Sequence, residues 1–110
     1  MRIALLEDDP AQIDLVTLWL NNSGHNTHVF SYGKELTRAL TRESFDLFVL
    51  DWELPDISGA DVLAWIRQNV RDHAPVIFTT ARDREEDIAS MLKAGADDYI
   101  VKPLRKLELL

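Results

Sequence analysis

The stretch Leu47-Phe48-Val49-Leu50-Asp51 decides how this chain folds. Four consecutive apolar residues are typical of a strand buried on both faces, as the central strands of a parallel sheet are. Residues 3–6 and 76–79 are similar predicted strands, apolar apart from Thr79, and residues 27–30 and 99–101 complete a set of five. The second strand carries polar Thr27 and His28, which predicts a place at the sheet edge.

Segments with the period of an amphipathic helix separate these strands. This alternation predicts an α/β fold, a parallel sheet whose strands are joined by crossover helices. The residues that mark the helix faces are Ile13, Val16 and Leu20; Leu36 and Leu40; Val62, Trp65, Ile66 and Val70; and Ile88, Met91 and Leu92. Residues 104–110 have the character of a fifth helix that is incomplete.

Composition restricts the class of protein. A length of 110 residues suits one domain, residues 1–110. A net charge of -7, from 19 acidic and 12 basic residues, repels the phosphate backbone of nucleic acids, so we expect no nucleic-acid contact by this domain. The absence of cysteine excludes disulfides and thiolate metal sites. No apolar run has the length of a signal peptide or a membrane span, so we expect a cytoplasmic domain without membrane contact.

Polar residues follow four of the predicted strands. Because the carboxyl ends of parallel strands lie at one edge of the sheet, where such folds bind ligands, we expect these residues to converge. They are Glu7, Asp8, Asp51, Thr79, Thr80 and Lys102. Three carboxylates so close together favour a hard divalent cation with oxygen ligands, and Mg²⁺ is the natural choice. A lysine and a hydroxyl beside the metal would bind phosphate oxygens, which predicts phosphoryl transfer.

Asp51 is the predicted nucleophile. The chain has no cysteine and neither threonine has an evident base, whereas aspartate can form an acyl phosphate. We favour Thr80 over Thr79 as the hydroxyl, because strand alternation directs only one of the two into the pocket. Asp9, next to Pro10, is interpreted as a helix cap rather than a metal ligand. The three histidines, His25, His28 and His73, lack metal-ligand spacing.

Four segments carry a resemblance to a known family. They are Leu6-Glu7-Asp8-Asp9, Asp51-Trp52-Glu53-Leu54-Pro55-Asp56, Thr80-Ala81 and Asp97-Asp98-Tyr99-Ile100-Val101-Lys102-Pro103. Together they resemble the motifs of response-regulator receiver domains, and the resemblance spans nearly the whole chain. It implies a flavodoxin-like, doubly wound five-stranded parallel sheet with strand order 2-1-3-4-5.

The same resemblance implies a role for each site residue. Asp51 would be the phosphoacceptor, with Mg²⁺ held by Asp8 directly, by Glu7 largely through water, by Asp51 itself and by the backbone carbonyl of Glu53. Lys102 would pair with the phosphoryl group and Thr80 would hydrogen-bond to it. Tyr99 would swing inward as Thr80 moves, which is the conformational switch.

The resemblance also implies partners. A sensor histidine kinase would supply the phosphoryl group. Residues 95–99 and 102–104 most resemble the OmpR/PhoB class, whose receivers dimerise through the fourth helix, fifth strand and fifth helix and control a winged-helix DNA-binding domain. The implied output is transcription, with DNA contacted by a downstream effector domain.

Two other functions are compatible with parts of the pattern. A Mg²⁺-dependent phosphatase would use Asp51 as nucleophile and Glu53 as general acid, but the chain has no second domain to enclose a substrate. A receiver-like binding module that never takes phosphate would not require the intact set of acidic, hydroxyl and lysine residues. We therefore expect a phosphoacceptor that catalyses its own phosphotransfer and is not otherwise an enzyme.

Overall fold

The computed structural model describes residues 1–54, 56–70, 74–81 and 85–102. Strands and helices alternate strictly along this part of the chain, because apolar runs of strand length alternate with amphipathic segments. The strands are β1 (Arg2–Leu6), β2 (Asn26–Phe30), β3 (Leu47–Asp51), β4 (Val76–Thr80) and β5 (Asp98–Val101). The helices are α1 (Pro10–Asn22), α2 (Gly33–Ala39), α3 (Gly59–Asn69) and α4 (Glu85–Lys93).

The five strands form one parallel sheet in the order β2-β1-β3-β4-β5. This confirms the predicted fold class, the strand order and the edge position of the second strand. Every strand both starts and ends within one residue of its predicted limits. The strand order reverses between β1 and β3. Folds of this type bind ligands in the cleft at the carboxyl ends of the two strands that flank this point.

Apolar side chains divide between the two faces of the sheet, as alternation along each strand requires. On one face Leu6 and Leu50 pack with residues of α2, α3 and α4, and on the other Leu5 and Val49 pack with α1. Since β3 is completely buried from Phe48 to Leu50, it holds the residue that follows, Asp51, on a rigid support.

Residues suited to helix ends occupy them in this fold. The Asp9 side chain accepts a hydrogen bond from the amide of Ala11 at 3.0 Å and caps α1, which confirms that interpretation. Ser58 caps α3 in the same way. Gly24 and Gly95 have φ values of 87° and 106°, the left-handed conformation expected after a helix.

Several predictions concern residues that lie outside the described part of the chain. They are the incomplete fifth helix at 104–110, His73, and residues Pro55 and Pro103 of the family motifs. Among the described helices, none combines the length and the apolarity that crossing a bilayer requires.

Gly59, the first residue of α3, lies where the chain passes closest to the end of β3. A Cβ at this position would lie 2.9 Å from the Phe78 ring, 3.0 Å from Trp52 Cα and 3.1 Å from the carbonyl oxygen of Asp51. We expect Gly59→Ala to lower the free energy of unfolding by about 1–2 kcal/mol, because overpacking outweighs the better helix propensity of alanine. Urea unfolding measures this loss, and an unchanged midpoint would show that the ring and loop retreat freely.

Candidate functional site

The predicted site residues lie together at the carboxyl edge of the sheet. Glu7 directly follows β1, Asp51 ends β3, Thr80 ends β4 and Lys102 directly follows β5. The residues come from distant parts of the chain, and the parallel arrangement of the strands is what brings them to one edge.

Three carboxylates form the centre of the site. Glu7, Asp8 and Asp51 each offer one oxygen, and these oxygens all lie within 4.8 Å of one another. Glu7 and Asp51 are only 2% and 5% exposed, whereas Asp8 is exposed. Oxygen donors of this kind, partly open to water, fit Mg²⁺, which binds a few carboxylates and keeps several water ligands.

Lys102 lies between the two buried carboxylates. Its Nζ donates to Glu7 Oε1 at 2.7 Å and to Asp51 Oδ2 at 3.4 Å, and its side chain is 19% exposed. Burial acts to lower the pKa of Lys102, but its hydrogen bond to Glu7 and the charges of both carboxylates outweigh it and raise this pKa. Lys102 is therefore a fixed positive charge within the acidic cluster.

Glu7 and Asp51 differ in their affinity for protons. Burial, and after it the neighbouring Glu7, raise the pKa of Asp51 to about 7, against the opposing effects of the Glu53 amide and Lys102. Burial also acts to raise the pKa of Glu7, but hydrogen bonds with Lys102 and Asp51 outweigh that effect and lower it. Below about pH 7 without a metal ion, the pair therefore relieves its repulsion by holding a proton on Asp51 while Glu7 stays ionised.

Backbone amides fix both carboxylates from the other side. Glu7 Oε2 accepts from the amides of Asp8 and Asp9 at 3.0 and 3.4 Å, and Asp51 Oδ1 accepts from the amide of Glu53 at 3.1 Å. These contacts could not be predicted from sequence, because a backbone amide leaves no signal in the residue pattern.

The two threonines at the end of β4 are both buried, at 2% exposure for Thr79 and 0% for Thr80. Thr79 is the residue directly paired with Asp51, while Thr80 lies one residue nearer the open edge, where its carbonyl accepts from the Lys102 amide at 2.6 Å. Alternation alone therefore does not select Thr80, and its choice as the phosphoryl-binding hydroxyl stays a prediction based on the family resemblance.

Tyr99 and Glu53 complete the predicted set. Tyr99 is half-buried, pairs with Phe78 and packs against the core on the α3 and α4 face. Glu53 has an exposed side chain two residues after Asp51. The switch motion of Tyr99 and the metal contact of the Glu53 carbonyl remain predictions.

Comparison with known proteins identifies the family. Residues 3–110 match the profile of the response regulator receiver domain. The chain is 37% identical to the regulatory protein VanRc of Enterococcus gallinarum over 109 residues, covering 99% of this chain and 46% of that protein. It is 38% identical to the transcriptional regulatory protein QseB of Haemophilus influenzae over 109 residues, covering 99% and 49%. This chain thus spans about half the length of these relatives.

Solved structures with a similar fold are also receiver domains. The receiver domain of the Francisella response regulator 1452 has a TM-score of 0.90 at 31% identity, covering 98% of this chain and 88% of that one. The receiver domain of the sensor histidine kinase PA1611 from Pseudomonas aeruginosa, which has a magnesium ion coordinated in its active-site cleft, has a TM-score of 0.88 at 30% identity, covering 98% and 89%. The predicted resemblance is confirmed, and this chain belongs to the response regulator receiver domain family.

Proposed function

We propose that this receiver domain accepts a phosphoryl group on Asp51 from a histidine kinase in a Mg²⁺-dependent reaction that the domain itself catalyses. The observation that supports this most is the convergence of the Glu7, Asp8 and Asp51 oxygens within 4.8 Å, with Lys102 Nζ 3.4 Å from Asp51 Oδ2. The arrangement combines metal ligands, a nucleophile and a cation for a phosphate oxygen in one cleft.

Mg²⁺ would be held by the carboxylates of Asp8 and Asp51 and by the backbone carbonyl of Glu53, with Glu7 contributing largely through water. When bound, the ion would neutralise charge on the phosphoryl oxygens and on the carboxylates around it. The buried position of Glu7 and the exposed position of Asp8 suit these two roles.

The protein residues would perform the transfer as follows. An ionised carboxylate oxygen of Asp51 forms the new bond to phosphorus as the phosphorus–nitrogen bond of the donor phosphohistidine breaks and the imidazole leaves. Lys102 would move from Glu7 to a phosphoryl oxygen, and the Thr80 hydroxyl would donate to another. Rigid placement of Asp51 at the end of β3 favours in-line attack.

The output would be control of transcription in the cytoplasm. Thr80 and Tyr99 would form the switch, and the phosphorylated domain would dimerise through α4, β5 and the helix predicted to follow. Relatives about twice the length of this chain are named as transcriptional regulators, and one, MtrA of Mycolicibacterium smegmatis, as a DNA-binding response regulator. A domain with a net charge of -7 would leave DNA contact to an effector domain.

Phosphorylation is tested by the intact mass of the protein after incubation with acetyl phosphate and Mg²⁺. We expect one added phosphoryl group on the wild type, none on Asp51→Asn and none in the presence of a chelator. Asp14→Asn is a matched control, because it alters an exposed acid of α1, and it should be phosphorylated like the wild type.

A second measurement tests the site even if the phosphoryl group on Asp51 hydrolyses quickly. Beryllofluoride mimics an acyl phosphate without hydrolysing, so ¹⁹F NMR reports its binding whatever the phosphate lifetime. We expect Mg²⁺-dependent binding to the wild type and none to Asp51→Asn. A folded wild-type protein that gives neither the adduct nor the beryllofluoride signal would contradict the proposal.

A further inference from the structure

We propose that Asp56 is a positioning residue for the metal site, holding the loop after Asp51 against α2 so that the Glu53 carbonyl is in place for Mg²⁺. This inference rests on the proposed metal-dependent function of the site. We call the described residues 52–54 and 56–58 the acceptor loop; they connect β3 to α3.

The first observation is a pair of hydrogen bonds across 23 and 22 residues of sequence. Asp56 Oδ1 accepts from the amide of Gly33 and Oδ2 accepts from the amide of Lys34, each at 3.0 Å. These amides belong to the first two residues of α2 and have no partner within their own helix, because the first turn of a helix leaves its amides free. One carboxylate therefore satisfies two donors and joins the acceptor loop to a helix.

The second observation is close packing at the same point. A Cβ on Gly33 would lie 2.5 Å from Ile57 Cγ1 and 2.7 Å from Ile57 Cδ1. The residue after Asp56 thus packs directly onto the start of α2, and a side chain larger than that of glycine at position 33 would require Ile57 to shift. Polar and apolar contacts hold the same segment of the loop in the same place.

The ends of the acceptor loop are fixed independently. The Trp52 amide donates to the Thr79 carbonyl at 2.9 Å, and the Gly59 amide donates to the Trp52 carbonyl at 3.2 Å. Between the tether at Trp52 and the tether at Asp56 lies Glu53, whose amide bonds to the carboxylate of Asp51. Among the described residues, Asp56 is consequently a contact that fixes the far side of the segment carrying the proposed carbonyl ligand.

This arrangement has a consequence for metal affinity. A carbonyl that is already held in position binds a metal without a further loss of backbone freedom, whereas a mobile one must be ordered on binding. Residues that orient metal ligands from outside the coordination sphere affect affinity for this reason. The effect is separate from any contribution of Asp56 to the stability of the fold.

The test compares Asp56→Ala, Asp56→Asn and Asp14→Ala with the wild type. Asp14→Ala removes an equal charge from an exposed position of α1 and controls for the general attraction of cations. The Mg²⁺ dissociation constant is measured by titration with Mg²⁺ alone, followed by tryptophan fluorescence in a Trp19→Phe, Trp65→Phe background that leaves Trp52, next to Asp51, as the reporter. Amide hydrogen exchange at Gly33, Lys34 and Glu53 is measured without metal.

We expect the dissociation constant of Asp56→Ala to rise about tenfold, at the lower end of the effects known for residues that orient ligands. Asp56→Asn keeps one acceptor oxygen and should show about a threefold rise, since part of the tether survives. Exchange at Gly33, Lys34 and Glu53 should accelerate in the same order, and Asp14→Ala should match the wild type in both measurements.

A purely structural role would give a different result. If Asp56→Ala and Asp56→Asn lower the unfolding temperature but bind Mg²⁺ as Asp14→Ala does, the positioning role is wrong while the proposed function stands. If Asp56→Ala fails to fold, Asp56→Asn alone decides. Absence of Mg²⁺ binding in the wild type itself would overturn the proposed function and this inference together.

Discussion

Replacing Lys102 with methionine is expected to lower the free energy of unfolding of the metal-free domain by about 3–4 kcal/mol at pH 8. Lys102 contacts both Glu7 and Asp51, and all three side chains are at least four-fifths buried. Methionine keeps the length of the side chain and the backbone hydrogen bond to Thr80 but removes the cation. Two adjacent buried carboxylates are then left without their compensating charge, which is the costly way to break a buried ion pair.

Urea unfolding in the presence of a chelator measures this loss, with Lys93→Met, an exposed lysine of α4, as the control. The loss should shrink as the pH falls, because protonation of the carboxylates removes their repulsion. Mg²⁺ should stabilise Lys102→Met more than the wild type, since the ion supplies the missing positive charge. Equal stability of Lys102→Met and Lys93→Met at pH 8 would contradict this account of the site.

The apolar pattern of the strands made both the sheet and the position of the site predictable from sequence. β3 and β4 are apolar over most of their length because both faces of each are covered, and this pattern differs clearly from that of an amphipathic helix. Once the strands are parallel, the residues that follow them must share an edge. Glu7 and Lys102 could therefore be placed together although 95 residues separate them.

Other features could not be predicted because they depend on atoms outside the residue pattern. The family resemblance predicts that Lys102 pairs with the phosphoryl group, but its shortest contact in the structure is with Glu7, whose charge needs a partner once it is buried. The Asp56 contact joins a side chain to two backbone amides, which every residue except proline possesses. Alternation along β4 could not decide between Thr79 and Thr80, because both side chains are buried at the end of the strand.

The replacement Asp51→Asn is expected to stabilise the metal-free domain by about 2–4 kcal/mol above pH 7, although it abolishes phosphorylation. Asp51 is 5% exposed and lies beside the ionised Glu7, so its own ionisation is unfavourable. Asparagine has nearly the same shape, its oxygen can still accept from the Glu53 amide, and its amide group can donate to Glu7. The carboxylate of Asp51, which the proposed reaction needs, thus lowers the free energy of unfolding of the domain.

The pH dependence gives this prediction a definite sign. In the folded protein the pKa of Asp51 is raised to about 7, while an aspartate in the unfolded chain titrates near 3.9. Between about pH 4 and 7 the folded state keeps a proton that the unfolded state has released, so the wild type loses stability as the pH rises through this range. Asp51→Asn lacks this group, and its advantage should therefore be small near pH 4 and complete above about pH 7.

Urea unfolding of the wild type and Asp51→Asn from pH 4 to pH 8, with a chelator present, measures the difference directly. Asp14→Asn is the control for the loss of one negative charge and should follow the wild type. Millimolar Mg²⁺ should narrow the gap, because the ion binds the wild-type site and stabilises only the folded state. A difference that is constant with pH would show that the gain comes from packing rather than from the buried charge of Asp51.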